Sequence, residues 1–433
     1  MANHWSNWSA SVKAVPAQVL YPTTETEVQD IVRKANSEGR SIRVVGAGHS
    51  FTPLVQTDST ILSLDKLSGL ISADKDQLQA TVWAGTRLKA LGEILHSQGM
   101  AMENLGDIDV QSIAGALSTG THGTGIELGT LSTQLRAITL VTATGELLTL
   151  TPEDERFPAA QVSLGVLGII TRLTIQLVPS YKLTYTSGKA TLPEVLADLD
   201  RWKTQHRNFE FYFFPFTQTV QTKVMDITDD APKKGGIGKW MNDILLENGL
   251  FWVLSRISRH IPGTYKGVSK ISAWGISSGS TTSWSHQVFA TKRLVKFQEM
   301  EYNIPADRFK EAMKEIEETI RVIDFRVHFP IECRWVKADD IWLSPAHGRD
   351  SAYIAVHMYK GMPHKEYFGA IEGIMKKYGG RPHWGKMHTL SSADLAERYP
   401  KFKDFQDLRR EMDPKGTFLN GYLRDLFEPE TSA

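Results

Sequence analysis

The sequence predicts an α+β protein of two domains, one that cradles a phosphate-bearing cofactor and an antiparallel sheet that caps it. Three observations carry this. Glycine-rich segments stand at Val44-Val45-Gly46-Ala47-Gly48-His49-Ser50-Phe51 and at 112–125, where Ser118-Thr119-Gly120-Thr121-His122-Gly123 forms the centre, and a third glycine pair, Gly165 and Gly168, precedes another strand. The runs 137–143 and 146–150 join at Thr144-Gly145, a hairpin signal that argues against a doubly wound parallel sheet. Beyond residue 181, β-rich runs alternate with an amphipathic helix.

Taken in order, Thr24 and Glu27 predict a capping box opening a helix with Val28, Ile31, Val32 and Ala35 on one face, closed by Gly39. The strand 41–45 leads into the first glycine segment. Glycines let a backbone approach a pyrophosphate, and successive N–H groups with Ser and Thr hydroxyls can bind its oxygens without a lysine. A dinucleotide fingerprint would need a glycine where Phe51 stands and a helix where Thr52-Pro53 begins, so the NAD reading fails. A second helix carries Leu88, Leu91, Ile94 and Leu95 and stops at Gly99. Ile169-Ile170 starts the strand that ends the first domain near Pro179-Ser180.

In the second region, 208–216 and 218–228 read as strands, and 308–322 reads as a helix with Phe309, Ala312, Met313, Ile316 and Ile320 on one face. Strict alternation over 325–335 predicts one strand with Glu332, Arg334 and, further along, His328 on a common face. Tyr353, Ala355, His357 and Tyr359 share a face of the next. If the two pair, a carboxylate, a guanidinium and an imidazole converge on one pocket, although spacing alone fits better with a solvated face carrying a cross-strand ion pair. The segment 379–388 places Trp384 between His383 and Lys386, either a surface turn or a site cation in an aromatic setting. The aromatic-rich stretch 240–261 is read as an ordinary core helix in preference to one lying on a membrane.

Composition bounds the partners. Lys+Arg and Asp+Glu are both 49 in 433 residues, so no global field recruits nucleic acid or an anionic membrane. The single cysteine, Cys333, excludes an internal disulfide framework and a cysteine-based metal site, and no metal is expected. The start lacks a signal-peptide pattern and no apolar run reaches the ~20 residues of a bilayer span, so a cytoplasmic protein without membrane association is expected.

With these residues in view, the chain resembles, along nearly its full length, the FAD-linked sugar-1,4-lactone oxidases and alditol oxidases, a branch of the vanillyl-alcohol-oxidase type of flavoproteins. The resemblance rests on Val45-Gly46-Ala47-Gly48-His49-Ser50, Gly115 to Gly125, Glu332-Cys333-Arg334, His383-Trp384-Gly385-Lys386 and Asp413-Pro414-Lys415-Gly416-Thr417-Phe418-Leu419-Asn420. It implies an FAD-binding domain of the PCMH type over 1–180, a substrate-binding cap over 181–400, and a C-terminal segment, 401–433, returning to the first domain. It also implies flavin joined covalently through the His49 ring. Val44, Val45, Gly46, Ala47, Gly48, Ser50, Ser112, Ser118, Thr119, Gly120, Thr121, His122, Gly123, Ile169 and Ile170 would contact the cofactor. Ser112, Glu332, Arg334, Tyr359 and Lys386 would bind substrate, with Glu332, Arg334, His357 and Lys386 as the catalytic set and the base either His357 or Lys386. The implied reaction is oxidation of an aldono-1,4-lactone, of the L-gulono or D-arabinono type, with a hydride passing to the flavin and O2 reoxidising it to give H2O2. An alditol oxidase, a lactone dehydrogenase using a quinone or cytochrome with Leu117 blocking oxygen, and a flavin-binding storage or sensing protein are the rivals. The chain departs from the expected pattern at Gly421, where a proline would follow Asn420.

Overall fold

The computed structural model describes residues 4–232, 249, 251–289 and 295–428. Helix Glu25–Ser37 starts where the Thr24 hydroxyl accepts the Glu27 N–H at 3.1 Å, and it buries Val28, Val32 and Ala35. The expected capping box is half formed, because the Glu27 carboxylate reaches the Thr23 N–H instead of that of Thr24. After Gly39, at φ +64°, strand Ile42–Val45 pairs in parallel with Thr60–Ser63, which pairs in parallel with Gln18–Leu20. A second, antiparallel sheet runs in the order Leu147–Leu150, Leu135–Val141, Ile169–Gln176, Gln79–Trp83, Leu70–Asp74. The segment 112–125 is not one continuous loop. Ile113, Ala116 and Leu117 recur at helical spacing and are buried, so Ile113–Ser118 coils into a short helix between two connections.

The cap is an antiparallel sheet of eight strands, in the order Gly279–Trp284, Lys182–Thr191, Thr219–Thr228, Asn208–Phe213, Ile331–Val336, Ser351–Tyr359, Phe297–Pro305, Arg381–Pro382. Strand alternation gives it two chemically distinct faces. Phe211 and Trp335 turn toward helix Phe309–Ile323, their rings 6.0 and 5.0 Å from Phe309, whereas Glu210, Glu332, Arg334, His357, Glu299 and Glu301 occupy the opposite face. That helix buries the five residues expected of it.

One expectation needs correction. The run 325–335 is not a single strand: the ladder begins at Ile331, and His328 instead bonds the Ser255 hydroxyl at 3.0 Å, away from Glu332 and Arg334. Of the stretch 240–261, residues 240–248 and 250 lie outside the described residues; the helical residues 251–260 face the core on one side only, with Phe251 4.7 Å from the Phe329 ring and Ser255 and Ser258 buried, while Trp252, Val253 and Ile257 are exposed.

The C-terminal stretch packs back on the first domain. The Ile42 N–H donates to Thr417 O at 2.8 Å, and Asn420 donates to Pro53 O and Gln56 O at 2.8 Å while capping helix Gly421–Phe427. Gly421 thus occupies the first helical position, where proline is favoured but not required. Buried Arg43 ties three segments together, donating to Leu54 O, Leu164 O and Phe418 O.

Candidate active site

Two cavities meet at the joint between the domains. The first spans about 1000 Å³, its open mouth included, and is lined by residues 44–50 together with Ser112, Ala114, Gly115, Ser118, Thr119, Gly165, Gly168 and Ile170. Its walls are close because its glycines allow it: a Cβ on Gly46 would lie 2.2 Å from the Ser112 Oγ, and one on Gly85 would lie 1.9 Å from Leu64 O. Gly48 turns the loop at φ +67°, a conformation other residues adopt at a cost. The donors are backbone N–H groups and hydroxyls. Ser112 makes no cap bond to its own helix, and the Arg43 guanidinium is already committed to carbonyls. Such a cradle fits a pyrophosphate and a planar ring system held by dipoles.

The second cavity, about 760 Å³, is lined by Trp8, Phe51, Asp107, Glu299, Glu301, Glu332, Arg334, His357, His383 and Lys386, among others. His49, Ser50, Gln111 and Thr119 line both cavities. His49 therefore stands at the junction, stacked on Trp8 with centroids 5.3 Å apart. Burial, helped by the charges of Lys386 and Arg87, lowers its pKa to about 4, so its ring is neutral near pH 7.

The polar face of the cap sheet supplies a continuous set of charges. The Arg334 Nε–H donates to Glu210 at 2.7 Å, and the guanidinium forms ion pairs with Asp107, at 2.7 Å, and with Glu332. Burial opposes its charge, yet the three carboxylates hold its pKa well above the usual arginine value. Burial raises the Glu210 carboxyl despite Arg334. The His357 Nδ1 faces Pro330 O at 3.2 Å, and its Nε2 lies 3.5 Å from Glu299 and 4.0 Å from Glu332. Lys386 contacts the other Glu299 oxygen at 2.5 Å and sits 5.3 Å over the Phe51 ring. Burial penalises the Glu299 anion, but Lys386 and His357 outweigh it and hold the carboxyl far below its ordinary range. Glu301, opposed by burial and favoured by His122 at 3.2 Å, is lowered to about 2.

All four expected catalytic residues thus line one cavity. The expected cofactor residues divide. Val44, Val45, Gly46, Ala47, Gly48, His49, Ser50, Ser112, Ser118, Thr119 and Ile170 line the first cavity, whereas Thr121 and His122 line the second, and His122 stacks on Tyr353 at 3.6 Å. Gly120, Gly123 and Ile169 line neither, Ile169 because strand alternation turns it away from Ile170. Tyr359 also lies outside both; its ring stacks on Phe329. The 379–388 segment is not a surface turn, since Trp384 is fully buried with its Nε1 donating to Leu343 O at 2.6 Å. Glu299, Glu301, Glu210 and Asp107 were missing from the sequence reading. The strand 297–305 carried a signal, because Glu299, Glu301 and Asn303 alternate with Met300, Tyr302 and Ile304. Asp107, in a loop, carried none.

The chain matches two family profiles: an FAD-binding domain over 16–151, and D-arabinono-1,4-lactone oxidase over 173–426. It is 38% identical to an L-gulono-1,4-lactone dehydrogenase of Mycobacterium tuberculosis, over 99% of this chain and 100% of that protein. It is 34% identical to an L-gulonolactone oxidase of Bos taurus, over 98% of each, and 28% identical to an alditol oxidase of a Streptomyces species, over 99% and 100%. A crystal structure of cholesterol oxidase from B. sterolicum superposes with a TM-score of 0.81 at 19% identity, covering 99% of this chain and 97% of that one, which shows a shared fold. The chain therefore belongs to the D-arabinono-1,4-lactone oxidase family of FAD-dependent oxidoreductases acting on CH–OH donors, with an FAD-binding domain joined to an antiparallel cap.

Proposed function

We propose that the protein oxidises the carbinol of an aldono-1,4-lactone in the second cavity, with FAD in the first, tethered through His49, and O2 as the electron acceptor. Residues 1–180 would hold the cofactor, 181–400 the substrate, and the segment from 401 would return to the first domain. The observation that carries the reading is the junction itself: His49, Gln111 and Thr119 line the cofactor cradle and also the cavity that holds Glu299, Glu332, Arg334, His357 and Lys386. When bound, FAD supplies the hydride acceptor.

The protein residues bind, orient and move the proton. Carboxylates of Glu332 and Glu299 accept hydrogen bonds from sugar hydroxyls, and their charge is anchored by Arg334 and Lys386. His357 is the better base, because its Nδ1–H is tied to Pro330 O and its Nε2 is left facing the cavity beside Glu299 and Glu332. Lys386, clamped on Glu299, serves as the fixed cation opposite developing negative charge. The neutral His49 ring suits a nucleophile that forms the tether. An oxidase is supported by the small residues Ala114 and Gly115 in the cofactor wall, whereas Leu117 is buried and lines neither cavity.

Peroxide production by the purified holoenzyme with L-gulono- and D-arabinono-1,4-lactone, against a set of open-chain polyols, tests this reading. Faster turnover of the lactones is expected. Polyol preference would make it an alditol oxidase, and turnover with a dye but no peroxide would make it a dehydrogenase.

A further inference from the structure

Helix Leu88–Ser97 and the outer edge of the cap sheet meet at a group of ligand-type side chains that lies outside both cavities. Strand Gly279–Trp284 turns there into the short helix Ser285–Val288, which carries His286. The two helices touch where Gly92 leaves room, since a Cβ on it would lie 2.8 Å from the His286 Cβ. Glu93 and His96, three residues apart on the longer helix, flank that contact. The His96 and His286 rings stand 5.0 Å apart with their planes at 36°, and Trp284 covers His96 from 4.4 Å.

Hydrogen bonding fixes which ring nitrogens are open. The Ser180 hydroxyl donates to Met100 O at 3.0 Å, so toward the His96 Nδ1, at 3.3 Å, it can only accept. His96 thus carries its hydrogen on Nδ1 and keeps a lone pair on Nε2, the orientation that an outer hydrogen bond gives a metal-bound histidine. The His286 Nε2 is shielded from solvent and makes no hydrogen bond, although the Glu93 carboxylate lies 3.4 Å away. Burial lowers the His286 pKa, so its ring is neutral and able to ligate near pH 7. We propose that Glu93, His96 and His286 bind a divalent transition ion of the zinc type, which clamps the helix to the cap. Two imidazoles held by one tetrahedral ion at Zn–N distances of about 2.0–2.1 Å have ring centres roughly 5 Å apart, as these do. Glu93, 60% exposed, completes the set by turning its own side chain, and water takes the fourth position. Two tighter groupings of possible ligands are already committed. The Gly385 N–H occupies the His383 Nδ1 beside His122 and Glu301, which puts the ring hydrogen on Nε2, and Arg334 sits among Asp107, Glu210 and Glu332. The inference is independent of the proposed reaction, and it runs against the expectation of no metal that followed from the single cysteine.

Calorimetric titration of the full-length holoprotein with ZnCl2, after treatment with a chelator and dialysis, tests it. One Zn2+ per chain is expected to bind and to raise the melting temperature. His286→Ala and His96→Gln should each weaken binding by roughly 100-fold, and Ser180→Ala, which removes only the outer hydrogen bond, by about 10-fold. Glu93→Gln changes an exposed side chain without threatening the fold, and it should weaken binding by at least about 10-fold with flavin content unchanged. Absence of Zn2+ binding by the wild-type protein, or binding and a thermal shift that persist undiminished in Glu93→Gln and His286→Ala, would overturn the inference.

Discussion

Replacing Arg334 with alanine removes the cation that faces all three of Asp107, Glu210 and Glu332, whose oxygens lie within 4.8 Å of one another, and leaves Glu210 with Lys223 at 3.5 Å. The side chain is 8% exposed, so solvent does little to screen what is left. Breaking a buried pair in this way costs about 3–5 kcal/mol, mostly the uncompensated charge of the partners. The loss depends on pH with a definite sign. Glu210 is already raised by burial against the opposing pull of Arg334, and without Arg334 its folded pKa climbs further above the unfolded value of about 4.3. A raised carboxyl stabilises the fold while it is protonated and stops doing so as pH rises through the folded pKa. The deficit of Arg334→Ala relative to wild type should therefore be smaller at about pH 5 than at about pH 8, as read by denaturant unfolding at both. Flavin reduction by substrate should slow by about 10²-fold or more, the usual cost of removing a preorganised stabilising charge. Wild-type stability at the higher pH together with near-wild-type stopped-flow reduction would refute the placement of Arg334 at the centre of the site.

Other perturbations follow from the same geometry. His49→Ala should leave a folded protein whose flavin is freed by acid, while wild-type protein precipitates yellow; a yellow variant pellet would place the tether elsewhere, with His122 next to be tested. Because the His49 pKa lies at about 4, tethering in apoprotein reconstituted with FAD should proceed at a flat rate around neutrality and slow only as pH falls toward that value, and a rate rising steadily from pH 6 to 8 would contradict a neutral ring, on the order of the window set by imidazole titration. Gly46→Ala drives a Cβ to 2.2 Å from the Ser112 Oγ and should yield purified protein depleted in flavin; full flavin content would mean that the cradle yields easily. Glu332→Gln should raise the substrate KM and slow reduction with flavin content unchanged. Substrate-reduced enzyme mixed with aerated buffer should reoxidise within about a second, since a small-residue wall and a nearby cation favour reaction with O2; reoxidation over minutes would make the protein a dehydrogenase.

What the sequence disclosed was what local pattern encodes. Period-two alternation placed Glu332 and Arg334 on one face and His357 on the next strand, and the paired strands do bring Glu332 opposite Ala355, two residues from His357. Alternation could not show where the strand begins. The apolar and polar positions of 325–330 keep the same period without a ladder partner, and His328 was carried to the wrong place on that account. The glycine cradle was legible because close backbone approach needs glycine whatever the fold. The division of 118–123 between two cavities was not, because Thr121 and His122 reach the second one only through the turn after helix Ile113–Ser118. Asp107 and Glu210 meet Arg334 from a loop and a strand more than a hundred residues away in sequence, contacts that only the three-dimensional arrangement supplies.

The proposed reaction depends on the joining of the two cavities into one redox centre. Its most direct measurement is the visible flavin spectrum of the purified protein, recorded anaerobically before and after addition of L-gulono-1,4-lactone, with Arg334→Ala and Lys386→Met alongside. Bleaching of the flavin band in the wild-type protein, and much slower bleaching in both variants at equal flavin content, is the predicted result. A flavin that stays oxidised with every lactone and polyol offered, or that bleaches equally fast in all three proteins, would contradict it.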